Sequence, residues 1–488
     1  MTCKQLVWSS CVLGLLTLLI LGWSTPAMAL DGANPLNLAP LNGWDGFELV
    51  TQLDDISAID DPGYGTTASR GTYDGLGAYL SGSTLSIFVN HEVTNNAAIS
   101  RVDLDLDDFR QAINNSIDNG ATPFPTSIVT GMGYAYDTIF DGTYNAISNS
   151  SPVASGTVAV GNYSAANFSR FCSGSSYLAN SFGANRGFVD EMYITGEEVF
   201  NSSGKFYALD SATETLWEAP DLGGGSWENA ALVDTGNTTH TALILSPDGT
   251  DNRIHLYVGE KGVDTNSDGE IDFLERNGLR GGTTYYFIPD LGFSTFDLPD
   301  GTVPGTWSTS TVGALTEDKL EDVHTNPADG SQVLLGDQTD GVYRIDLDLQ
   351  FSGNVLDTAN SPVTIDQIVP ETGIGSLGNP DNLTWSEDGK IYIQQDGAGD
   401  DIWQMDPDGT NRVQIASAFS EPSGIFDVSG YAGYEPGSVF LSSVQGSSGS
   451  SGAQLTVLIS PDAVVPEPSG CGLALLAGLF FSLRRRSI

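Results

Sequence analysis

The sequence is short of positive charge. Its 488 residues include 18 Lys and Arg against 62 Asp and Glu, a net charge of −44. A surface this acidic repels phosphate backbones, which excludes nucleic acid as a partner. Charged residues of both signs make up only 16% of the chain, too few for a coiled coil or a long-helix bundle. Histidine is equally scarce. His91, His240, His255 and His324 are scattered, which excludes a zinc hydrolase of the His-Glu-x-x-His kind. There is no Gly-x-Ser-x-Gly nucleophile elbow and no phosphate-cradling Gly-rich loop with a Lys. No apolar run reaches the roughly 20 residues needed to span a bilayer. What is present is a hydrophobic content of 40%, aromatics at 9% and 58 glycines, the composition of a folded, turn-rich chain rather than a disordered one.

Both ends read as addresses. Residues 1–29 have the form of a secretory signal peptide: Lys4 supplies the positive start, Val12 to Leu21 the short apolar run, and Ala27-Met28-Ala29 the small-x-small cleavage site. At the other end, Val465-Pro466-Glu467-Pro468-Ser469 precedes an apolar stretch from about Leu473 to Phe481, then Arg484-Arg485-Arg486. These parts, in this order, resemble the PEP-CTERM sorting tail of exosortase-bearing Gram-negative bacteria. The resemblance implies a tail (463–488) recognised by an exosortase, transient anchoring at the inner membrane, and a mature protein that is extracellular, on the cell surface or periplasmic. Such tails accompany exopolysaccharide production, so association with exopolysaccharide is a further expectation.

The addressing segments account for Cys3, Cys11 and Cys471. Only Cys172 remains in the mature chain, so it has no intramolecular disulfide. A lone exported thiol is a liability unless it is buried or bound. Phe171-Cys172-Ser173-Gly174 places it at the head of a Gly/Ser-rich stretch, a setting that suits a ligand.

Residues 30–462 predict one all-β domain. Apolar stretches of four to seven residues recur between turn signals, as in Leu85–Asn90, Lys205–Leu209, Ile254–Val258, Thr283–Phe287 and Lys390–Gln394. The turns are of Asp-Gly type, at Asp248-Gly249, Asp329-Gly330, Asp388-Gly389 and Asp408-Gly409. Hairpin pairs repeat loosely: Ser386–Asp396 runs into Asp401–Thr410, and Ala328–Asp337 into Gly341–Asp346. Such pairs are what propeller blades look like in sequence, and the length suits about six of them. A pair of β-sandwiches is the structural alternative. Helical and loop insertions are few and short; Asp107–Ile117, with Phe109, Ile113 and Ile117 at four-residue spacing, predicts one amphipathic helix.

Asp264 to Glu275 matches the twelve-residue calcium loop. Oxygen-bearing side chains fall at positions 1 (Asp264), 3 (Asn266), 5 (Asp268), 9 (Asp272) and 12 (Glu275). Glu270 at position 7 would offer its carbonyl, Gly269 stands at 6 for the sharp turn, and Ile271 at 8. A hard cation of this size takes six to eight oxygens, which alternate residues can supply. A solvated acidic loop is the plainer alternative.

Further acids sit at predicted strand edges: Glu92, Glu197, Glu198, Glu228, Glu260, Glu321, Asp322 and Asp381. In a propeller, strands from every blade line the central channel, so distant carboxylates can converge there. Converging like charges need a cation to stay ionised together. Taken singly, each is an ordinary solvated turn acid.

The order Asn90-His91-Glu92, Cys172, Glu197-Glu198, Glu228-Asn229-Ala230-Ala231, Tyr257-Val258-Gly259-Glu260-Lys261, Gly281-Gly282-Thr283, Glu321-Asp322, Pro380-Asp381-Asn382-Leu383 resembles the PhoX-type alkaline phosphatases, the DUF839 propellers. The likeness spreads over most of residues 85–400 through short, divergent motifs. It implies a six-bladed propeller with a mixed calcium–iron (Fe3+) centre acting on small phosphate esters. By motif, Cys172 would bind iron, and Glu198, Glu228, Glu260, Glu321 and Asp381 would hold metal. Glu92, Glu197, Asp322, His324 and Asn382 stand behind them. Gly196 replaces a family Cys, Trp227 a His, and Lys319 an Arg. Lys319, with Lys261 beside Glu260, would then supply positive charge to the phosphate, as a point charge rather than a two-pronged grip. Two other readings use the same residues differently. One is a calcium-loaded surface propeller without catalysis, for which a lone thiol has no use. The other is a lactonase-like propeller hydrolase with one calcium ion.

Overall fold

The computed structural model describes residues 36–52, 72–94, 97–119, 128–147, 168–199, 203–249, 253–298, 300–373, 376–397, 399–446 and 452–466. The signal peptide, and the sorting tail from Glu467 onward, lie outside the described residues.

Antiparallel sheets dominate, as the punctuated apolar stretches predict. Blade I comprises strands Tyr73–Ser81, Thr84–His91, Ile99–Asp105 and Val129–Tyr134. Blade II comprises Phe171–Tyr177, Met192–Glu197, Phe206–Asp210 and Thr215–Glu218, with Thr138–Phe140 added in parallel at its outer edge. Blade III runs through Trp227–Val233, His240–Pro247, His255–Glu260 and Thr283–Pro289. Blade IV runs through Leu320–Thr325, Gln332–Asp337, Gly341–Leu347 and Val363–Pro370. Blade V runs through Pro380–Trp385, Ile391–Gln395, Asp401–Met405 and Val413–Ala418, with Leu38–Pro40 at its edge. Blade VI takes Pro422–Asp427, Val439–Val444 and Gln454–Ile459 from the C-terminal end, and its fourth strand, Asp45–Thr51, from the N-terminal end. That exchange closes the ring.

Hydrogen bonding alone does not separate six blades. Strand Thr302–Ser308 pairs with the outer strands of blades III and IV at once, joining them into one nine-stranded sheet. Packing resolves the sixfold order: the innermost strand of each blade touches that of the next, I to II through to VI and back to I. Hydrophobic clusters fill the spaces between neighbouring blades, such as Ile244, Leu256, Trp307, Val323, Leu335 and Ile345 between III and IV.

The predicted helix spans Leu106–Asn119. Asp105 caps it, its carboxylate accepting from the Asp107 and Asp108 amides at 3.0 Å. Phe109, Ala112 and Ile113 are buried against blades I and VI.

Candidate metal centre at the channel mouth

The six innermost strands share one irregularity. Each has a register shift near its start: Tyr73/Leu76, Phe171/Gly174, Trp227/Asn229, Leu320/Val323, Pro380/Leu383 and Pro422/Gly424. A bulge adds a residue to one strand and re-aims its side chain. The second residue of five of these strands is Asp74, Cys172, Glu228, Glu321 or Asp381, and Glu421 immediately precedes the sixth. The residue that follows the second strand of each blade forms a further layer: Glu92, Glu198, Asp248, Gln338, Asp396 and Gln445. Two positions per blade therefore furnish one end of the channel.

There they surround a cavity of about 190 Å³ whose wall is formed by Asp74, Glu92, Glu198, Glu228, Asp248, Glu321, Asp381, Asp396 and Glu421, the thiol of Cys172, and the cations Arg170 and Lys319. Ligand atoms gather within 4.8 Å of one another in four sets: Asp74, Glu92 and Cys172; Cys172, Glu198 and Glu228; Glu228, Asp248 and Glu321; Asp381, Asp396 and Glu421. Cys172 and Glu228 each belong to two sets, so three of the four form a continuous array.

The electrostatics follow from nine carboxylates facing two cations. Burial, reinforced by neighbouring acids, pushes Asp74, Glu228, Glu321 and Asp381 well above the usual carboxylate range. Burial likewise lifts Glu198 and Glu421 to about 7. It also raises the Cys172 thiol, with Glu228, Glu92 and Glu198 adding to the effect. Arg170 reaches Glu92 at 2.8 Å and also pairs with Glu198. Lys319 pairs with Glu321 and lies 3.9 Å from Asp248. Burial lowers both cations' pKa, but the acids around them win and raise it.

The donor set fits metal ions. Carboxylates are donors for a hard cation such as calcium, and a thiolate suits a softer transition metal such as iron. The Asp74 Oδ1 and Glu198 Oε1 atoms are buried without a hydrogen bond. Cys172 Sγ lies 3.1 Å from Glu198 Oε2. The strand carrying Cys172 is fixed by Asn90, whose Nδ2 donates to the Cys172 carbonyl (2.7 Å), the Ser173 carbonyl (3.0 Å) and Thr195 Oγ1 (2.8 Å).

The structure thus brings together Cys172, Glu92, Glu198, Glu228, Glu321, Asp381 and Lys319. Glu260 does not join them. It ends the third strand of blade III, away from the channel, and accepts both bonds of the Asn354 amide at 2.9 Å. Lys261 does not join them either; its Nζ donates to the carbonyls of Asn185 (2.7 Å) and Gly187 (2.9 Å). Glu197 faces away, accepting from the Ser169 and Lys205 amides at 2.9 and 3.2 Å. Asp322 lies deeper in the channel, bound by Asn229 Nδ2 at 2.6 Å and the Leu383 amide at 3.0 Å. Asn382 donates to Ser173 Oγ at 2.8 Å, and that hydroxyl donates to Glu228 at 3.0 Å, so Asn382 supports the cavity from behind. His324 is on the wall of a separate 550 Å³ pocket at the far end of the inner strands, with Tyr177, Trp385 and Tyr431. Burial drops its pKa to about 4, so it is neutral there.

Asp74, Arg170, Asp248, Asp396 and Glu421 were not anticipated. Their shared signal is positional: apart from Arg170, each holds one of the two repeated places in its blade.

The 264–275 loop lies apart from the channel. Gly269 has φ +92°, as its sharp turn requires. Asp264 Oδ2 accepts from the Gly269 amide and Asn266 Oδ1 from the Asp268 amide, both at 3.0 Å, and Asp268 Oδ1 accepts from the Glu270 amide at 2.9 Å. Asp272 and Glu275 form a capping box on the short helix Phe273–Arg276. Glu275 Oε1 also accepts from the Thr265 amide at 2.7 Å. Asp264 Oδ1 and Asp272 Oδ2 have no hydrogen bond.

Fold and site together define a β-propeller with an acidic, thiol-bearing channel mouth. No known family model and no curated protein matches the chain. Among solved structures it is similar to Pseudomonas fluorescens PhoX in complex with vanadate, a transition state analogue. The two align with a TM-score of 0.56 over 89% of this chain and 98% of that one, at 14% identity. A putative 6-phosphogluconolactonase from Bacteroides uniformis aligns at TM-score 0.30 and 9% identity, over 74% of this chain and 78% of its own. At 14% identity the PhoX likeness shows the shared propeller fold.

Proposed function

We propose that this chain is a metal-dependent hydrolase of small phosphate esters, with calcium and an iron ion held at the channel mouth. The observation that carries the reading is the convergence of nine carboxylates, one thiol and two cations on a single cavity. Cys172, Glu198 and Glu228 would hold the softer ion, and the remaining carboxylates calcium. Bound ions would supply Lewis acidity towards a phosphoryl group and reverse the sign of a field that otherwise repels it.

The chain's own residues do the rest. Arg170 presents a guanidinium suited to two-pronged contact with phosphoryl oxygens, and Lys319, on the same cavity, adds a point charge. Both pair with carboxylates of the same wall, Arg170 with Glu92 and Glu198 and Lys319 with Glu321. Cations that take over those carboxylates would release both groups towards the cavity. The likeness to a propeller in complex with vanadate, a transition state analogue, supports a phosphoryl substrate. As part of the same proposal, the protein acts outside the cytoplasm after exosortase processing, in association with exopolysaccharide.

The test is elemental analysis of the mature chain purified from an oxidising compartment, beside Cys172→Ser, together with hydrolysis of p-nitrophenyl phosphate. Iron and several calcium ions, iron lost in Cys172→Ser, and activity lost with it, is the expected result. About one calcium ion, no iron in either protein and no activity would transfer the chain to the calcium-loaded, non-catalytic surface propellers.

A further inference from the structure

A second group of acids lies outside the channel cavity. Asp297, Glu317 and Asp340 bring one carboxylate oxygen each within 4.8 Å of the others. Three separate stretches supply them. Asp297 is in the loop leaving blade III, Glu317 precedes the inner strand of blade IV, and Asp340 occupies the hairpin turn between Gln332–Asp337 and Gly341–Leu347. Pairing of Phe296 with Thr316 and a bond from the Asp297 amide to the Thr316 carbonyl (3.1 Å) hold the first two side by side. The Asp340 carbonyl accepts from Gln367 Nε2 at 2.9 Å, which fixes the third.

Proximity of acids alone means little. The independent observation is Glu317 itself. Its side chain belongs to a residue only 2% exposed, and neither carboxylate oxygen has a hydrogen bond. Asp297 Oδ1 and Asp337 Oδ2, beside it, are also buried and unbonded. No Lys or Arg of the described residues forms an ion pair with Asp297, Glu317, Asp337 or Asp340. Further charges near Asp340 are again negative: Asp318, Glu371 and Asp300. Burial first, then Asp337, Asp340 and Asp297, lift Glu317 to about 10, opposed by the Leu298 amide, which stops short of a hydrogen bond. A buried carboxylate with no hydrogen bond and no cationic partner must take up either a proton or a metal ion.

We propose that Asp297, Glu317 and Asp340 form a binding site for a hard divalent cation of the calcium class, which ties the blade III loop to the blade IV hairpin. All the donors on offer are oxygens, and their origin in three stretches leaves the remaining positions to carbonyls and water, as calcium tolerates. The site spans the junction where strand Thr302–Ser308 already fuses the two blades. Its role is to brace that junction, and it does not depend on the channel's chemistry.

The test uses the mature chain, stripped with chelator and titrated with calcium, and with terbium as a luminescent stand-in. Tyr343, whose hydroxyl meets the Leu298 carbonyl at 3.3 Å, is placed to sensitise an ion bound there. Glu317→Gln and Asp340→Asn should each retain one calcium ion fewer per chain than wild type, and both should lose the share of terbium emission that Tyr343→Phe also removes. Equal calcium content and emission in all the variants would overturn the site and leave Glu317 a buried neutral acid. If Glu317→Gln does not fold, the half-buried turn residue Asp340 and the Tyr343→Phe emission difference decide between the two outcomes. Channel failure is read separately, because Cys172→Ser should leave this calcium ion in place.

Discussion

At the scale of single residues, Arg170 carries most of the new information. Lys319, where the resemblance in sequence leads one to expect an Arg, implied a weaker hold on phosphate, yet a guanidinium enters the cavity from elsewhere, two residues before Cys172. It is 21% exposed on its side chain and bridges Glu92 and Glu198. If it grips phosphate, Arg170→Ala should lower kcat/KM for p-nitrophenyl phosphate by roughly 10²-fold, and Arg170→Lys should recover only part of the loss. Equal rates in wild type and Arg170→Ala would reduce the residue to a structural ion pair. Cys172, Glu228, Glu321 and Asp381 were legible because each sits in a short motif with a recognisable neighbour. Asp248 was not, since Pro247-Asp248-Gly249 is also an ordinary turn. Glu260 misled for the converse reason: its motif ends a strand, but the third strand of a blade, which never reaches the channel. Sequence marks strand ends; it does not number strands within a blade.

At the scale of elements, the bulges decide where the site forms. Beside the blade I bulge, a Cβ on Gly75 would lie 2.5 Å from the Gly174 nitrogen and 2.6 Å from the Cys172 carbonyl oxygen, both backbone atoms that cannot step aside. Gly75→Ala should therefore cost about 1–3 kcal/mol in denaturant unfolding and disturb metal retention at Cys172. Gly430→Ala, whose Cβ meets nothing within 4 Å, should be close to neutral by comparison. The 264–275 loop offers a second test at this scale. Asp268 is exposed and its oxygens bond only within the loop, to the Glu270 amide and the Asn266 side chain. Asp268→Ala should thus report ligand loss rather than packing: the rise in melting temperature on adding calcium should shrink relative to wild type. An unchanged rise would make the loop a capped turn and no more. The strands themselves were readable from turns and alternation. The bulges were not, because they are properties of strand pairing and leave no fixed residue type behind.

At the scale of the whole molecule, the ring of six blades concentrates like charge where an isolated hairpin would disperse it. That makes metal-free stability depend on pH with a definite sign. Burial raises Glu198 and Glu421 to about 7, and Asp74, Glu228, Glu321 and Asp381 are raised well beyond the ordinary carboxylate value. In the unfolded chain the same groups titrate near ~4. Between that value and about 7, and higher for the more deeply buried acids, the folded state binds more protons than the unfolded one, so stability falls as pH rises. The chelator-stripped protein should melt at a higher temperature at pH 5 than at pH 8. Metal ions displace those protons, so the loaded protein should lose this slope over the same interval, and the gap between the two melting curves should widen towards pH 8. Parallel curves for stripped and loaded protein would mean that the ring stays protonated and takes no cation. Excess negative charge was legible from composition alone, but its focus at one channel mouth appears only when six blades, each contributing two positions, close on one another.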